Sequence, residues 1–378
     1  METYQKQEHE NTNSLEKHAP EIADSTEKQV PKNKYLDTLL SIGEEIIDPE
    51  ELNSMLNKKQ QLGKDIIAYD GFEPSGRMHL AQGLLRAHNV NKFTSAGVKF
   101  KFWVADWFAL MNLKLGGDLK KIQNAGKLMI ETWKASGMNL ENVEFIWSSN
   151  EINERSDEYW KIVLDIATKF QLSRIKKCTQ IMGREESDEL AASQIFYPVM
   201  QATDVFFLKA DICSLGMDQR KVNMLCREYA KKVKRPSPII ISHNMVMGLD
   251  GSDKMSKSNP DNAIFMDDME SDVKRKIKKA YCAPGDIEWN PLLDWTKHII
   301  FPILGKIVIP EDTKWGTPEK VYSEYNKLES DFENELVHPN DLKKAMIVHI
   351  NELLEPVRTH FKENKEANRL LKLVKSYK

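Results

Sequence analysis

The chain has 378 residues, 54 Lys and Arg against 57 Asp and Glu for a formal charge of −3, and 41% hydrophobic residues. That length allows two or three domains with cores of their own, and the proportions exclude a wholly disordered or fibrous chain. The near-neutral balance excludes a uniformly basic nucleic-acid binder, so any such contact must come from local patches.

Residues 1–34 carry seven acidic and five basic side chains with Tyr4 as the only aromatic. This is too little apolar surface to offset the entropy of ordering, and a disordered charged tail is expected. Its lysines could meet RNA in an encounter complex, although interleaved glutamates cancel their field. The tail lacks the apolar segment of a signal peptide, and its acidic residues argue against a mitochondrial transit sequence, which leaves a cytoplasmic location. The most apolar stretch, residues 102–113, contains Asp106 and falls short of the roughly 20 residues a membrane span needs, so no membrane partner is expected. Cys178, Cys213, Cys226 and Cys282 show no zinc or C-x-x-C spacing and read as reduced thiols.

Residues 35–62 have helical spacing, and 65–69 read as a short buried strand ending at Asp70-Gly71. The turn Glu73-Pro74-Ser75-Gly76 leads into a helix starting near His79, then a strand at 100–104 and a helix at about 119–136. Further strands are expected at 143–147, 211–213 and 238–241. This alternation predicts an α/β fold with a doubly wound parallel-sheet (Rossmann-like) domain over 35–268, carrying a helical insertion at about 150–190. Beyond Asp268 the strand signals stop. Segments 271–281, 291–305, 318–337 and 340–362 read as helices, so 269–378 is expected to be a helical domain.

Three constellations carry chemistry. In Pro74-Ser75-Gly76-Arg77-Met78-His79-Leu80-Ala81-Gln82-Gly83, a strand turns into a helix whose unpaired N–H groups suit a phosphate, and His79 is placed to donate to phosphoryl oxygens. About 175 residues on, Gly251-Ser252-Asp253-Lys254-Met255-Ser256-Lys257-Ser258 makes a cationic loop able to neutralise a polyphosphate. Tyr197, Gln201 and Asp204 are spaced i, i+4, i+7 and share one face of a largely apolar helix, where polar groups need partners.

The first two segments together resemble the HIGH and KMSKS motifs of class I aminoacyl-tRNA synthetases. The third resembles the tyrosine-binding helix of tyrosyl-tRNA synthetases, and Gly216-Met217-Asp218-Gln219 resembles that family's ribose-binding loop. The likeness runs from about Lys64 to Phe361 and is to the eukaryotic and archaeal branch. With its last residue at Lys378, the chain is expected to lack the additional C-terminal domain of some animal members.

What the resemblance implies is tyrosine activation by ATP, with Mg²⁺ on the phosphates, followed by transfer to the 3′ end of tRNA(Tyr). Tyr69 and Asp204 would meet the phenol hydroxyl, and Tyr197, Gln201 and Gln219 the ammonium group. His79 and Gln82 would meet the ATP phosphates, Gly216 and Asp218 the ribose, and Lys254, Ser256 and Lys257 the transferring phosphate and pyrophosphate, with Gly71 admitting the adenylate. Trp315, His338 and Asp341 match the anticodon-reading positions, although Trp315 equally fits a core position. The insertion would carry the interface of a homodimer, and no metal held by protein ligands is expected. Gln82 stands where the motif has its last histidine, so its contact is either made by the amide or lost. Asp70 either contacts ribose or ammonium or caps the Pro74-Ser75-Gly76 turn. Basic patches for tRNA phosphates are Arg174 to Lys177, Lys231 to Arg235 and Lys274 to Lys279. Two other readings stay open: a tryptophanyl-tRNA synthetase, and a non-catalytic RNA-binding relative.

Overall fold

Strands buried on both faces are apolar along most of their length, as in β5 (Ile212–Gly216) and β6 (Ile239–His243), whereas β2 (Ile67–Phe72), β3 (Lys99–Val104) and β4 (Val143–Trp147) mix apolar residues with Asp70, Lys99, Lys101 and Glu144. They form a parallel sheet in the order β6-β5-β2-β3-β4, with β1 (Glu45–Ile47) antiparallel on the β6 edge. The computed structural model describes residues 31–182, 189–255, 259–311 and 318–377. Met1–Lys32 and Asn33–Lys378 separate as two units, and most of the expected tail lies outside the described residues.

The chain moves outward from β2 through β3 to β4, then returns to pair β5 against the other side of β2. Strand order therefore reverses between β2 and β5, and the crevice beyond their C-terminal ends is where such sheets hold ligands.

Successive side chains leave a strand on opposite faces. Phe100 and Phe102 of β3 enter one core, where Phe102 stacks on Trp133 at 4.8 Å and on Phe145 at 5.2 Å. Trp103 enters the other, among Tyr159, Val205 and Phe207, with Tyr159 edge-on to Phe207 at 5.0 Å. Buried Asp106, inside the apolar stretch, is satisfied by the hydroxyls of Ser148 (2.7 Å) and Ser149 (2.6 Å) and by the Gln123 amide (3.0 Å). This network fastens the helix Asp106–Met111 to the end of β4.

The expected insertion holds the helices Ser148–Glu154, Ser156–Lys169 and Leu172–Lys176. After residue 268 come Glu270–Lys279, Pro291–Trp295 continuing through a π-turn Thr296–Ile300, Tyr325–Glu333, Pro339–Glu363 and Lys365–Lys375. The first core runs on into these helices through Met266, Ile277, Trp295 and Leu342.

The structure corrects the strand reading in three places. β1 interrupts the segment expected to be helical, and β7 (Ile307–Ile309) pairs antiparallel with β8 (Lys320–Tyr322) where helix alone was expected. Each is three residues long, too short for alternation to register; β1 exists by pairing with distant β6, and β7 and β8 by pairing with each other. β2 also extends past Tyr69, so Asp70 and Gly71 lie within the strand, opposite Phe102 and Trp103 of β3.

Candidate active site

A cavity of about 290 Å³ opens at the C-terminal ends of β2 and β5, and residues from all three constellations line it. Native buried polar atoms are nearly always partnered. Asp70 Oδ1, Gln82 Oε1, Trp103 Nε1, Asp204 Oδ2 and His243 Nε2 have no partner, and all five residues line this cavity. Its walls thus present both aromatic surface and open hydrogen-bonding positions, the composition of a site for a polar aromatic ligand.

Tyr197, Gln201 and Asp204 project from the buried face of the helix Ala192–Phe207. Asp204 Oδ1 accepts from the Tyr159 hydroxyl at 2.8 Å, leaving Oδ2 open. Burial pushes the Asp204 carboxyl well above the usual carboxylate range, and the Tyr159 bond opposes the shift. Burial, and then the neighbouring Asp204, hold the Tyr69 phenol well above its ordinary value, so it stays neutral. Tyr197 stands edge-on to Phe108 at 5.0 Å, and burial together with Glu73, to which its hydroxyl bonds, raises its phenol likewise. Glu73 also accepts from Asn112 Nδ2 at 3.1 Å. Gln201 Nε2 donates to Gln219 Oε1 at 3.0 Å.

Around the other end, the turn bearing His79 is stitched to the chain just past the cationic loop. His79 bridges Phe265, Leu80 N–H donates to Ile264 O (2.8 Å), and Met266 N–H donates to Met78 O (2.9 Å). Arg77 spans Asp267 (2.9 Å) and Asp268 (2.7 Å) with its guanidinium 4.2 Å from the Phe265 ring centre. His79 is followed by a π-turn, Ala81–Leu85, a feature common at functional sites. There the Gln82 N–H donates to His79 Nδ1 at 3.4 Å, while its amide oxygen is open. A Cβ on Gly83 would lie 2.2 Å from Met266 Sδ, so any larger residue there forces the Met266 side chain to move.

Asp218 and Lys254 face one another at 3.9 Å, both more than a third exposed, a pairing that solvent weakens. A Cβ on Gly216 would stand 2.7 Å from Asp218 Oδ1 and displace that carboxylate. Ser256 and Lys257 lie outside the described residues.

Asp70 does not cap the turn: its partner is Arg86, Oδ2 to Nε at 3.1 Å. Burial raises its carboxyl to about 7, Arg86 pulls it down, and Asp218 adds to the rise. Burial drops the His243 imidazole to about 3, so the ring is neutral. Among the described residues no group of three His, Cys, Asp or Glu is placed to hold a metal ion.

Trp315 lies outside the described residues. Exposed His338 caps the helix Pro339–Glu363, its Nδ1 accepting the Asn340 N–H at 3.1 Å, and Asp341 in the first turn pairs with Lys344 at 2.9 Å. Two of the basic patches are partly committed elsewhere. Arg174 holds Glu228 at 2.8 Å, and Lys276 is buried against Asp268 at 2.6 Å, a structural ion pair rather than a phosphate contact. Glu73, Arg86 and His243, which line the cavity, and Tyr159, which reaches it through Asp204, are groups that sequence reasoning missed. Glu73 was in view in the turn, whereas Tyr159 reads as an ordinary core position of an amphipathic helix.

A switch-point cavity with a His-bearing strand-to-helix turn on one side and a lysine loop on the other defines a class I aminoacyl-tRNA synthetase, and the chain belongs to that family: the model for class I tRNA synthetases (W and Y) matches residues 60–355. Within it, the chain is 53% identical over 340 residues to tyrosine–tRNA ligase 1, cytoplasmic, of Arabidopsis thaliana, covering 89% of this chain and 87% of the relative. Among solved structures, the tyrosyl-tRNA synthetase of Leishmania major with tyrosinol superposes with a TM-score of 0.85 at 48% identity, covering 91% of this chain and 52% of the other. The chain thus spans about half of that Leishmania chain. The Pyrococcus horikoshii tyrosyl-tRNA synthetase complexed with L-tyrosine gives 0.82 at 31% identity, covering 90% and 98%.

Proposed function

We infer that this chain is a tyrosine–tRNA ligase. In the first step an oxygen of the tyrosine carboxylate bonds to the α-phosphorus of ATP as the bond to pyrophosphate breaks. In the second, a terminal ribose hydroxyl of tRNA(Tyr) bonds to the tyrosyl carbonyl, AMP leaves, and the hydroxyl proton is released. The first nucleophile is already an anion, so alignment and charge stabilisation carry the chemistry.

The observation that carries the reading is Asp204 Oδ2, an open acceptor buried beside Tyr69 in an aromatic-walled cavity. A phenol O–H donating there satisfies it. Phenylalanine leaves it unmet, at a cost of roughly 1–3 kcal/mol per orphaned group; tyrosyl-tRNA synthetase is the standard instance of such discrimination. An indole N–H calls for a different arrangement from the Tyr69 and Asp204 pair, which disfavours the tryptophan reading. Tyr197, Gln201 and Gln219 hold the ammonium group. His79, Gln82 and Lys254 meet the phosphates together with Ser256 and Lys257; Gly216 and Asp218 hold the ribose, and Gly71 leaves room for the adenylate. Mg²⁺ would ride on the phosphates of the ATP substrate and neutralise part of their charge.

Residues 269–378 bind the anticodon arm, with Trp315, His338 and Asp341 reading bases. The chain acts as a homodimer: the helices of the insertion and the one after it leave Trp160, Leu164, Leu172 and Phe196 exposed, apolar surface that suits a second copy. The name of the Arabidopsis relative supports a cytoplasmic location, and no helix among the described residues is long and apolar enough to cross a membrane. Charging of tRNA(Tyr) with radiolabelled tyrosine tests the assignment: tyrosine should be esterified and tryptophan not, whereas tryptophan charging, or none, contradicts it.

A further inference from the structure

The lysine loop is held from a distance. Its upstream stem, residues 244–249, leaves β6 and passes beneath the helix Pro291–Trp295, where both backbone polar groups of Met247 are taken by side chains of that helix. The Met247 N–H donates to Asp294 Oδ2 at 2.9 Å, and the Trp295 indole Nε1–H donates to the Met247 carbonyl at 2.8 Å. One turn on, the His298 ring bonds the Asn244 amide at 2.7 Å and lies 3.5 Å from Asp294. From Met247 the grip is relayed by backbone alone. The neighbouring Val246 carbonyl accepts the Met255 N–H at 3.1 Å, Met255 adjoins Lys254, and Lys254 Nζ faces Asp218 at 3.9 Å. The π-turn Thr296–Ile300 that follows the clamp packs on the π-turn Ala81–Leu85 that follows His79. One short stretch of the helical half therefore touches both sides of the nucleotide site.

We propose that Asp294 and Trp295 are positioning residues for the ATP-dependent step, fixing Met247 so that Lys254 stands over Asp218. This rests on the ligase reading above. An isolated core contact accounts less well for the pattern: two consecutive side chains satisfy the two polar groups of a single residue, and that residue lies between two that line the cavity, Met245 and Val246, and the loop itself. Trp295 is fully buried and Asp294 half-buried, so water does not substitute freely for either bond. Asp294 faces His298, Lys297 and, from the β1 side, Glu44. None of these reaches Met247 in its place among the bonds described.

The test compares Asp294→Ala, Asp294→Asn and Trp295→Phe with the wild type in ATP–pyrophosphate exchange, alongside hydrogen exchange of the peptide spanning 244–255. Asp294→Ala should lower kcat about tenfold with the tyrosine KM within about twofold, and the peptide should exchange faster. Asp294→Asn keeps an oxygen facing the Met247 N–H and should recover most of the rate. Trp295→Phe, which keeps the ring and loses the donor, should fall in between. Melting temperatures identify any variant whose loss is simply unfolding. Unchanged kcat in both Asp294→Ala and Trp295→Phe overturns the proposal, as does a faster-exchanging stem with unaltered kcat, or a rise in tyrosine KM matching the loss of rate. Should the wild type show no tyrosine-dependent exchange, the ligase reading falls. The clamp is then judged by calorimetric ATP binding, which Asp294→Ala must weaken severalfold for the proposal to stand.

Discussion

Tyr159→Phe removes one hydroxyl that no substrate is proposed to touch. That hydroxyl donates to Asp204 Oδ1 at 2.8 Å inside the protein, and an intramolecular hydrogen bond contributes about 0.5–1.5 kcal/mol net. The same bond pulls the Asp204 carboxyl down against burial, so its loss moves Asp204 further towards the neutral form and weakens Oδ2 as an acceptor for the phenol. If about 0.5–1.5 kcal/mol of this is felt by bound tyrosine, kcat/KM for tyrosine falls roughly 2- to 13-fold. Phenylalanine has no hydroxyl to lose, so its kcat/KM should stay constant and the preference for tyrosine should shrink by the same factor. ATP–pyrophosphate exchange with each amino acid at saturating ATP measures both, and the KM for ATP should not move. Unchanged tyrosine kinetics, or an equal loss for both amino acids, would refute the coupling of Tyr159 through Asp204 to the phenol.

Asp70 makes stability depend on pH. Its native carboxyl titrates near 7, against an ordinary value of 3.8, so from about pH 4 to 7 the folded chain keeps a proton that the unfolded chain has released. Its contribution is full below about pH 4 and is lost as pH rises through 7, at about 1.4 kcal/mol per unit. Asp70→Asn should therefore gain about 2–3 kcal/mol on the wild type between pH 5 and pH 8 in urea unfolding, and a pH-independent difference would contradict the buried-carboxyl account. Gly83→Ala drives a Cβ against Met266 and should cost about 1–3 kcal/mol by overpacking. In a double-mutant cycle with Met266→Ala the two losses should be well below additive, whereas simple additivity would mean that the contact does not matter.

The sheet and the cavity-lining helix were legible in the sequence because their signals are local. β5 and β6 show as apolar runs, β3 alternates Lys with Phe before Trp103, and the i, i+4, i+7 spacing of Tyr197, Gln201 and Asp204 puts them on one side whatever surrounds the helix. β1, β7 and β8 were not, because three-residue strands carry no period and are fixed only by their pairing, β1 with distant β6 and β7 with β8. Tyr159 and Arg86 escaped for a related reason. Each sits where an amphipathic helix would carry an aromatic or a basic residue anyway, and only the fold reveals that one is bonded to Asp204 and the other to Asp70. Asp70 shows a different case: of its two expected roles the turn cap is overturned, because Arg86, sixteen residues on, is its partner.

The central claim is that Asp204 selects the amino acid. ATP–pyrophosphate exchange with each of the twenty amino acids, wild type beside Asp204→Ala, tests it most directly. Exchange with tyrosine alone, lost in the variant while ATP binding is retained, is the predicted result. Exchange driven by tryptophan, or a variant that loses tyrosine and ATP to the same degree, would contradict it.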